Sequence, residues 1–273
     1  MTAFSLEALG GPWGKRLATR RGAIDELDWA SVATEASPTL VAAARDMWTR
    51  SAFSEYASGA AFAQIASCLL TARAPIDLIA AAGDFVADEM FHAELASRVA
   101  MALGGATPMQ VDFDRLAKPS SRSTPVMRAA ELIVRTCCVG EALTVPILDQ
   151  SRRAAGSPTV HAVISRILRD EAQHAELGWW FLDWADLSGD DRAELGREAG
   201  AALRDLSTLF DAECSRATGL GTLDCARFDG TFLEAVERSV VRPLAARGIV
   251  VPAQDIEHVK RQVAPDLTER VFG

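Results

Sequence analysis

No two cysteines in the 273-residue chain form a Cys-x-x-Cys pair. Cys68, Cys137, Cys138, Cys214 and Cys225 are odd in number and irregular in spacing. That argues against a disulfide framework, a structural zinc site and a rubredoxin-like iron centre, and makes a reducing cytoplasm the expected setting. No uncharged apolar run reaches the ~18 residues of a membrane span. The N-terminus carries no apolar stretch of signal-peptide type. Arg20-Arg21 runs into Gly-Ala-Ile-Asp-Glu, unlike a twin-arginine leader. Positive charge is also short: 28 Lys and Arg stand against 37 Asp and Glu, a net charge of −9. Nucleic acid is therefore not expected as a partner. Gly219-Leu220-Gly221 lacks the later glycine and the preceding strand of a phosphate-binding loop.

What is present is helical in character. Hydrophobic residues make up 49% of the chain, Ala and Leu are abundant, and there is a single Tyr. Ser37-Pro38, Thr124-Pro125 and Ser157-Pro158 each place a capping hydroxyl before a proline at the first helical position. Together with breaks at Pro75, Gly104-Gly105 and Gly156, they predict four long helices over about 38–72, 75–104, 125–156 and 158–187. Residues 1–36 read as an irregular arm with one short helix near 24–32, and 106–123 as a linker. Two further helical stretches are expected over 190–217 and 229–247, the second kinked at Pro243, with a short mixed tail from Val250. The expected organisation is an arm (1–36), a four-helix bundle (37–188) and a C-terminal helical extension packed on it (189–273).

One octapeptide occurs twice. Asp88-Glu89-Met90-Phe91-His92-Ala93-Glu94-Leu95 and Asp170-Glu171-Ala172-Gln173-His174-Ala175-Glu176-Leu177 agree at six of eight positions and use two of the four histidines. A Glu and a His three apart share one helix face about a turn from each other, so both can reach one metal ion. A single copy would be an ordinary surface pair. Two copies in matching apolar helices point to two ions.

Hairpin geometry supplies the remaining carboxylates. Glu89 lies 17 residues after the turn at Ala72, and Glu55 lies 17 before it. Glu171 lies 15 after the turn at Gly156, and Glu141 lies 15 before it. Both helices without the motif thus offer a glutamate at its level, each with a hydroxyl three residues on, Ser58 and Thr144. Internal duplication is the simplest account.

Four glutamates and two histidines in a bundle core resemble the ferritin-like di-iron carboxylate superfamily over roughly residues 38–187. The resemblance implies an all-α, ferritin-like four-helix bundle with a long crossover, to which the arm and the C-terminal helices are additions. It implies Glu55 and Glu141 as terminal ligands, Glu89 and Glu171 as bridging carboxylates, and His92 and His174 as the nitrogen ligands of two iron ions. Manganese, or a mixed pair, would suit the same donors. It further implies that Asp88 and Asp170 accept the free N–H of the histidine on the opposite helix, Asp88 from His174 and Asp170 from His92.

The expected activity is that of an oxygen-activating oxidase or oxygenase. It would hydroxylate, desaturate or N-oxidise a small, fairly apolar molecule, with dioxygen as co-substrate and electrons from an external donor. Glu55, Glu89, Glu141 and Glu171 would act with the metal centre, in a monomer or homodimer. Ferroxidase or iron storage, and manganese-dependent peroxide disproportionation, are the competing readings. Ser58, Gly59, Cys137, Thr144 and Val145 are small or medium residues about one turn from the lone glutamates and are expected to leave a pocket. Pro146 removes the N–H that would bond the Ala142 carbonyl, which predicts a local bend beside Glu141. Ile167 stands where some N-oxygenating members of the superfamily carry a third histidine. Tyr56, His161 and His258 are expected to take no part, and Trp179, Trp180 and Trp184 to be core or interface.

Overall fold

The computed structural model describes residues 1–20, 22–33, 36–116, 122, 124–215 and 219–263. The fold is all-α. α1 (Gly11–Ala18) lies in the arm, followed by single-turn helices at Gly22–Glu26 and Trp29–Ser31. The main body is α2 (Pro38–Ala72), α3 (Ile76–Ala102), α4 (Pro125–Ile133) continued through a π-helical stretch (Val134–Glu141) into α5 (Ala142–Ala154), and α6 (Pro158–Trp184). α7 (Gly189–Glu213), α8 (Cys225–Ala235), a second π-helical stretch (Val236–Val241), α9 (Arg242–Ala245) and α10 (Ala253–Val263) follow. Among the described residues no helix is long and apolar enough to cross a membrane.

The starts of the long helices follow from their caps. Ser37 Oγ accepts from the Leu40 N–H at 3.3 Å, Thr124 Oγ1 from Met127 at 3.2 Å and Ser157 Oγ from Val160 at 3.4 Å. Each satisfies an orphan donor of the first turn, with proline just inside. α2 ends at Arg73, whose left-handed φ of 54° reverses the chain into α3. α2 with α3, and α4–α5 with α6, form two helical hairpins.

The crossover between them runs lengthwise along α2. Arg45 Nε donates to the Gly105 carbonyl at 2.8 Å, the Thr107 N–H to Thr49 Oγ1 at 3.0 Å, and Gln64 Nε2 to the Leu116 carbonyl at 2.7 Å. From position 45 to position 64 a helix advances about 28 Å, so the chain returns to the opposite end before α4 begins. A short antiparallel pair, Thr2–Ala3 with Gln110–Val111, ties the arm to this crossover.

Two apolar clusters sandwich a polar layer. One gathers Phe62, Ile65, Phe85, Ile133, Leu143 and Phe181 with C-terminal residues such as Leu195, Phe228 and Val259, so the C-terminal helices share the bundle's core. The other gathers Met47, Trp48, Phe91, Leu95, Val160 and Ile164 with Ile24 and Val32 of the arm. Between them lie Glu89, His92, Glu141, Glu171 and His174, all buried.

Four expectations are corrected. The tail after Val250 contains α10, whose Ile256, Val259 and Val263 pack onto the first cluster. The arm's helix is α1, while residues 24–32 form only single turns. α5 runs unbroken through Pro146, and the departure from α geometry is the π-helical stretch that ends at Glu141. Of the core or interface places expected for Trp180 and Trp184, the core is excluded, since both are exposed. The second π-helical stretch ends just before Pro243, where a kink is expected from the missing N–H.

Candidate metal centre

The layer owes its closeness to two glycines. A Cβ on Gly59 of α2 would fall 2.4 Å from Met90 Cε and 3.3 Å from Glu89 Cβ, so glycine lets α2 and α3 approach at the level of the motif. A Cβ on Gly178 of α6 would fall 2.6 Å from Cys138 Sγ and 2.9 Å from Cys137 Cβ. That absence lets the π-helical stretch lie against α6. Within the stretch itself a Cβ on Gly140 would sit 3.3 Å from the Arg135 carbonyl oxygen, a tight contact inside its own turn rather than with α6. π-helical turns inside α-helices are frequent at functional sites, and this one delivers Glu141.

The ligand atoms form two groups that share two residues. Glu55, Glu89, His92 and Glu171 offer one atom each within 4.8 Å of one another, and so do Glu89, Glu141, Glu171 and His174. Glu89 and Glu171 belong to both. His92 Nδ1 faces Glu171 at 3.2 Å, Glu55 at 3.6 Å and Glu89 at 3.7 Å. His174 Nδ1 faces Glu171 at 2.9 Å and Glu89 at 3.0 Å. Both rings thus turn the same nitrogen toward the carboxylates.

The other ring nitrogens face aspartates. His92 Nε2 lies 3.0 Å from Asp170 Oδ2, and His174 Nε2 lies 3.8 Å from Asp88 Oδ2. Each aspartate also meets an arginine: Arg166 pairs with Asp170 from one turn earlier on α6, and Arg20 reaches from the arm to Asp88 and to Asp84. Phe62 and Phe85 pack on the His174 ring at 5.0 and 4.3 Å between centroids.

The electrostatics are those of a site built for positive charge. Burial is the main influence on Glu55 and raises its carboxyl to about 8, with the neighbouring Glu89 and Glu171 adding to it against the His92 contact. Burial, with Glu171 and Glu89, likewise holds Glu141 well above the carboxylate range. Burial pulls His92 down, but its contacts with Glu171, Glu55 and Glu89 outweigh this and raise it well above the usual value. His174 is raised to about 12 in the same way, with Asp88 and Glu171 outweighing burial. Glu171 goes the other way: both imidazoles hold it low despite burial.

Buried polar atoms here lack partners. Both carboxylate oxygens of Glu89, Nδ1 of His92 and Nε2 of His174 make no hydrogen bond among the described residues. Each such orphan costs about 1–3 kcal/mol. Metal ions held by the two groups would satisfy the Glu89 oxygens and His92 Nδ1. The residues therefore fit a two-metal centre.

A cavity of about 360 Å³ opens against this layer. Glu55, Glu141 and Glu171 line it, as do Ser58 and Thr144. Gly59, Cys137 and Val145 do not line it. Gly59 is taken up by the α2–α3 contact and Cys137 by the packing against Gly178, while Val145 lies on another face of α5. Ser54, Thr136, Gly140 and Ile167 line it instead. In the π-helical stretch the wider turn changes which residues share the face of Glu141, which α-helical counting misplaces.

Tyr56 packs edge-on against Phe4 and Phe113, and Arg98, 3.9 Å from Glu94, reaches Asp25 at 2.5 Å. His161 and His258 are exposed, and Cys68, Cys137 and Cys138 are free thiols. Comparison of the chain with family models, with curated proteins and with solved structures finds no match.

Proposed function

We propose that this chain is a ferritin-like di-metal oxidase or oxygenase that uses dioxygen to oxidise a small, fairly apolar molecule. The observation that carries the reading is the pair of buried ligand groups sharing Glu89 and Glu171, with a cavity against three of their glutamates. When bound, two iron ions would supply the redox capacity and Lewis acidity that reduction of dioxygen needs.

The protein's own part is separable from the metal's. Glu89 and Glu171 would be shared between the two ions, while Glu55 and Glu141, one in each group, stand on the cavity wall. Asp170 accepts the Nε2–H of His92, which leaves Nδ1 as the donor atom toward the glutamates. Burial of Glu141 and the wide turn that carries it favour a carboxylate able to hold or release a proton at its oxygen. The apolar clusters above and below exclude water from the layer. The cavity favours a substrate-oxidising role over ferroxidase or storage chemistry, in which no organic molecule has to reach the carboxylates.

The test is anaerobic loading with ferrous iron, followed by dioxygen consumption in the presence of a chemical reductant and candidate apolar substrates. Substrate-dependent uptake with an oxidised product supports the reading. A fully loaded, reduced protein inert to dioxygen contradicts it.

A further inference from the structure

The cavity does not end at the carboxylates. On α5 its wall runs from Glu141 past Thr144 and Leu148 to Ser151; on α2 it runs back from Glu55 to Trp48, and on α6 from Glu171 to Ile164. α5 runs unbroken from Ala142 past Ser151, so Ser151 stands about 15 Å along the axis from Glu141. Trp48 and Ile164 stand about 10 Å from their glutamates by the same rise.

The described lining of the far half is apolar and uncharged. Trp48, Ile147, Leu148 and Ile164 wall it, and among the described residues no Lys, Arg or His lines any part of the cavity. Among the described residues the only charged lining groups are the three glutamates at the metal end. The Trp48 indole N–H is already given to the Leu220 carbonyl at 2.7 Å. Ser151 is different: it is 2% exposed, and its hydroxyl has no hydrogen-bond partner among the described residues. A buried hydroxyl without a partner is unfavourable, and this one lines the cavity.

We infer that the cavity binds an elongated, uncharged molecule whose single neutral polar group, an alcohol, aldehyde or amide, hydrogen-bonds to Ser151 and whose opposite, apolar end reaches Glu55 and Glu141. An ionised head group at Ser151 would be buried without a counter-ion among the described residues, a cost that one hydroxyl does not offset. The inference rests on the proposed oxidase reading for the fate of the apolar end only. It then places the oxidised carbon at the end of the chain remote from the polar group. The binding itself is independent of metal chemistry.

The experiment is calorimetric titration of the full-length chain, both metal-free and zinc-loaded, with n-octanol and n-butanol. Metal content is determined on the same samples. The expected result is saturable binding of one n-octanol per chain, at least tenfold tighter than n-butanol because apolar contact grows with chain length. Ser151→Ala should weaken n-octanol about three- to tenfold, the usual effect of one lost hydrogen bond. Ile164→Trp, which fills the middle of the cavity, should abolish binding while the zinc content stays at the wild-type value. Equal affinity of wild type and Ser151→Ala for n-octanol, or no saturable binding by wild type, overturns the inference. A chain that binds n-octanol through Ser151 yet takes up no metal keeps the elongated ligand and overturns the oxidase reading instead. A chain that holds two ions and ignores n-octanol does the reverse.

Discussion

Asp170 Oδ2 stands 3.0 Å from Nε2 of His92, across the bundle and on the side of the ring away from the glutamates. A carboxylate there fixes the proton on Nε2 and turns the lone pair of Nδ1 toward Glu55, Glu89 and Glu171. Asp170 is itself held by Arg166, as Asp88 beside His174 is held by Arg20. The duplicated motif therefore extends to a duplicated His–Asp–Arg arrangement, with one arginine from the same helix and the other from the arm.

Asp170→Asn should weaken metal binding by about 10–100-fold, the usual effect of losing a carboxylate behind a metal-bound histidine. Competition against a chelator of known affinity measures this, with circular dichroism as the check on folding. Unchanged affinity would mean that the Asp170 contact does not tune His92.

Arg20→Ala should act more weakly and mostly through the arm. Asp84 is well exposed, so that pair contributes little, while Asp88 is largely enclosed. A loss of about 1 kcal/mol is expected, larger at low salt, with faster proteolysis of residues near α1. Thermal unfolding at two ionic strengths reads the first effect. An unaltered midpoint and an equally resistant arm would contradict the pairing.

Gly178→Ala should cost about 1–3 kcal/mol, because the new methyl overlaps Cys138 Sγ and Cys137 Cβ. Since that contact seats the stretch carrying Glu141, the ion held by Glu141 and His174 should be lost first. Denaturant unfolding and metal analysis of the variant check both parts. A variant as stable as wild type would show that the stretch does not rest on Gly178.

The pH dependence of the metal-free chain has a definite sign. Glu55, raised to about 8, and Glu141, also raised, bind protons more tightly folded than unfolded, and so do both histidines. Their contribution is fully present below the unfolded values and is lost as pH rises through the folded ones. Glu171 and Asp88 are shifted down and act only below the ordinary carboxylate range. The metal-free chain should therefore melt at a lower temperature at about pH 8 than at about pH 6. Metal binding displaces these protons and strengthens over the same interval, so the gap between loaded and metal-free midpoints should widen. Differential scanning calorimetry of both forms at the two pH values decides it; a constant gap would contradict the convergence of these carboxylates.

How much of this was legible in the sequence depends on how local each cause is. The caps at Ser37, Thr124 and Ser157 are three-residue signals and mark the helix starts in the structure. The levels of Glu55 and Glu141 followed from turn positions and a fixed rise per residue, because hairpin partners hold register. Arg20 could not be placed, since an irregular arm has no period that says where it docks. Arg166 was within reach, being one helical turn from Asp170. The π-helical stretch left only Gly140 as a signal, and its partner Gly178 lies on another helix. That is why the counted pocket kept Ser58 and Thr144, on regular helix beside the lone glutamates, while Cys137 fell to packing. α10 was missed because it is short and largely polar, and its burial depends on α7: a Cβ on Gly200 would collide with Asp255.

The central claim, two metal ions per chain between these six side chains, is tested most directly by crystals of iron-loaded protein measured at the iron absorption edge. The account predicts two anomalous peaks about 3.5–4 Å apart, one beside Glu55 and His92 and the other beside Glu141 and His174, with Glu89 and Glu171 reaching both. A single peak, or iron bound only outside this layer, would contradict it.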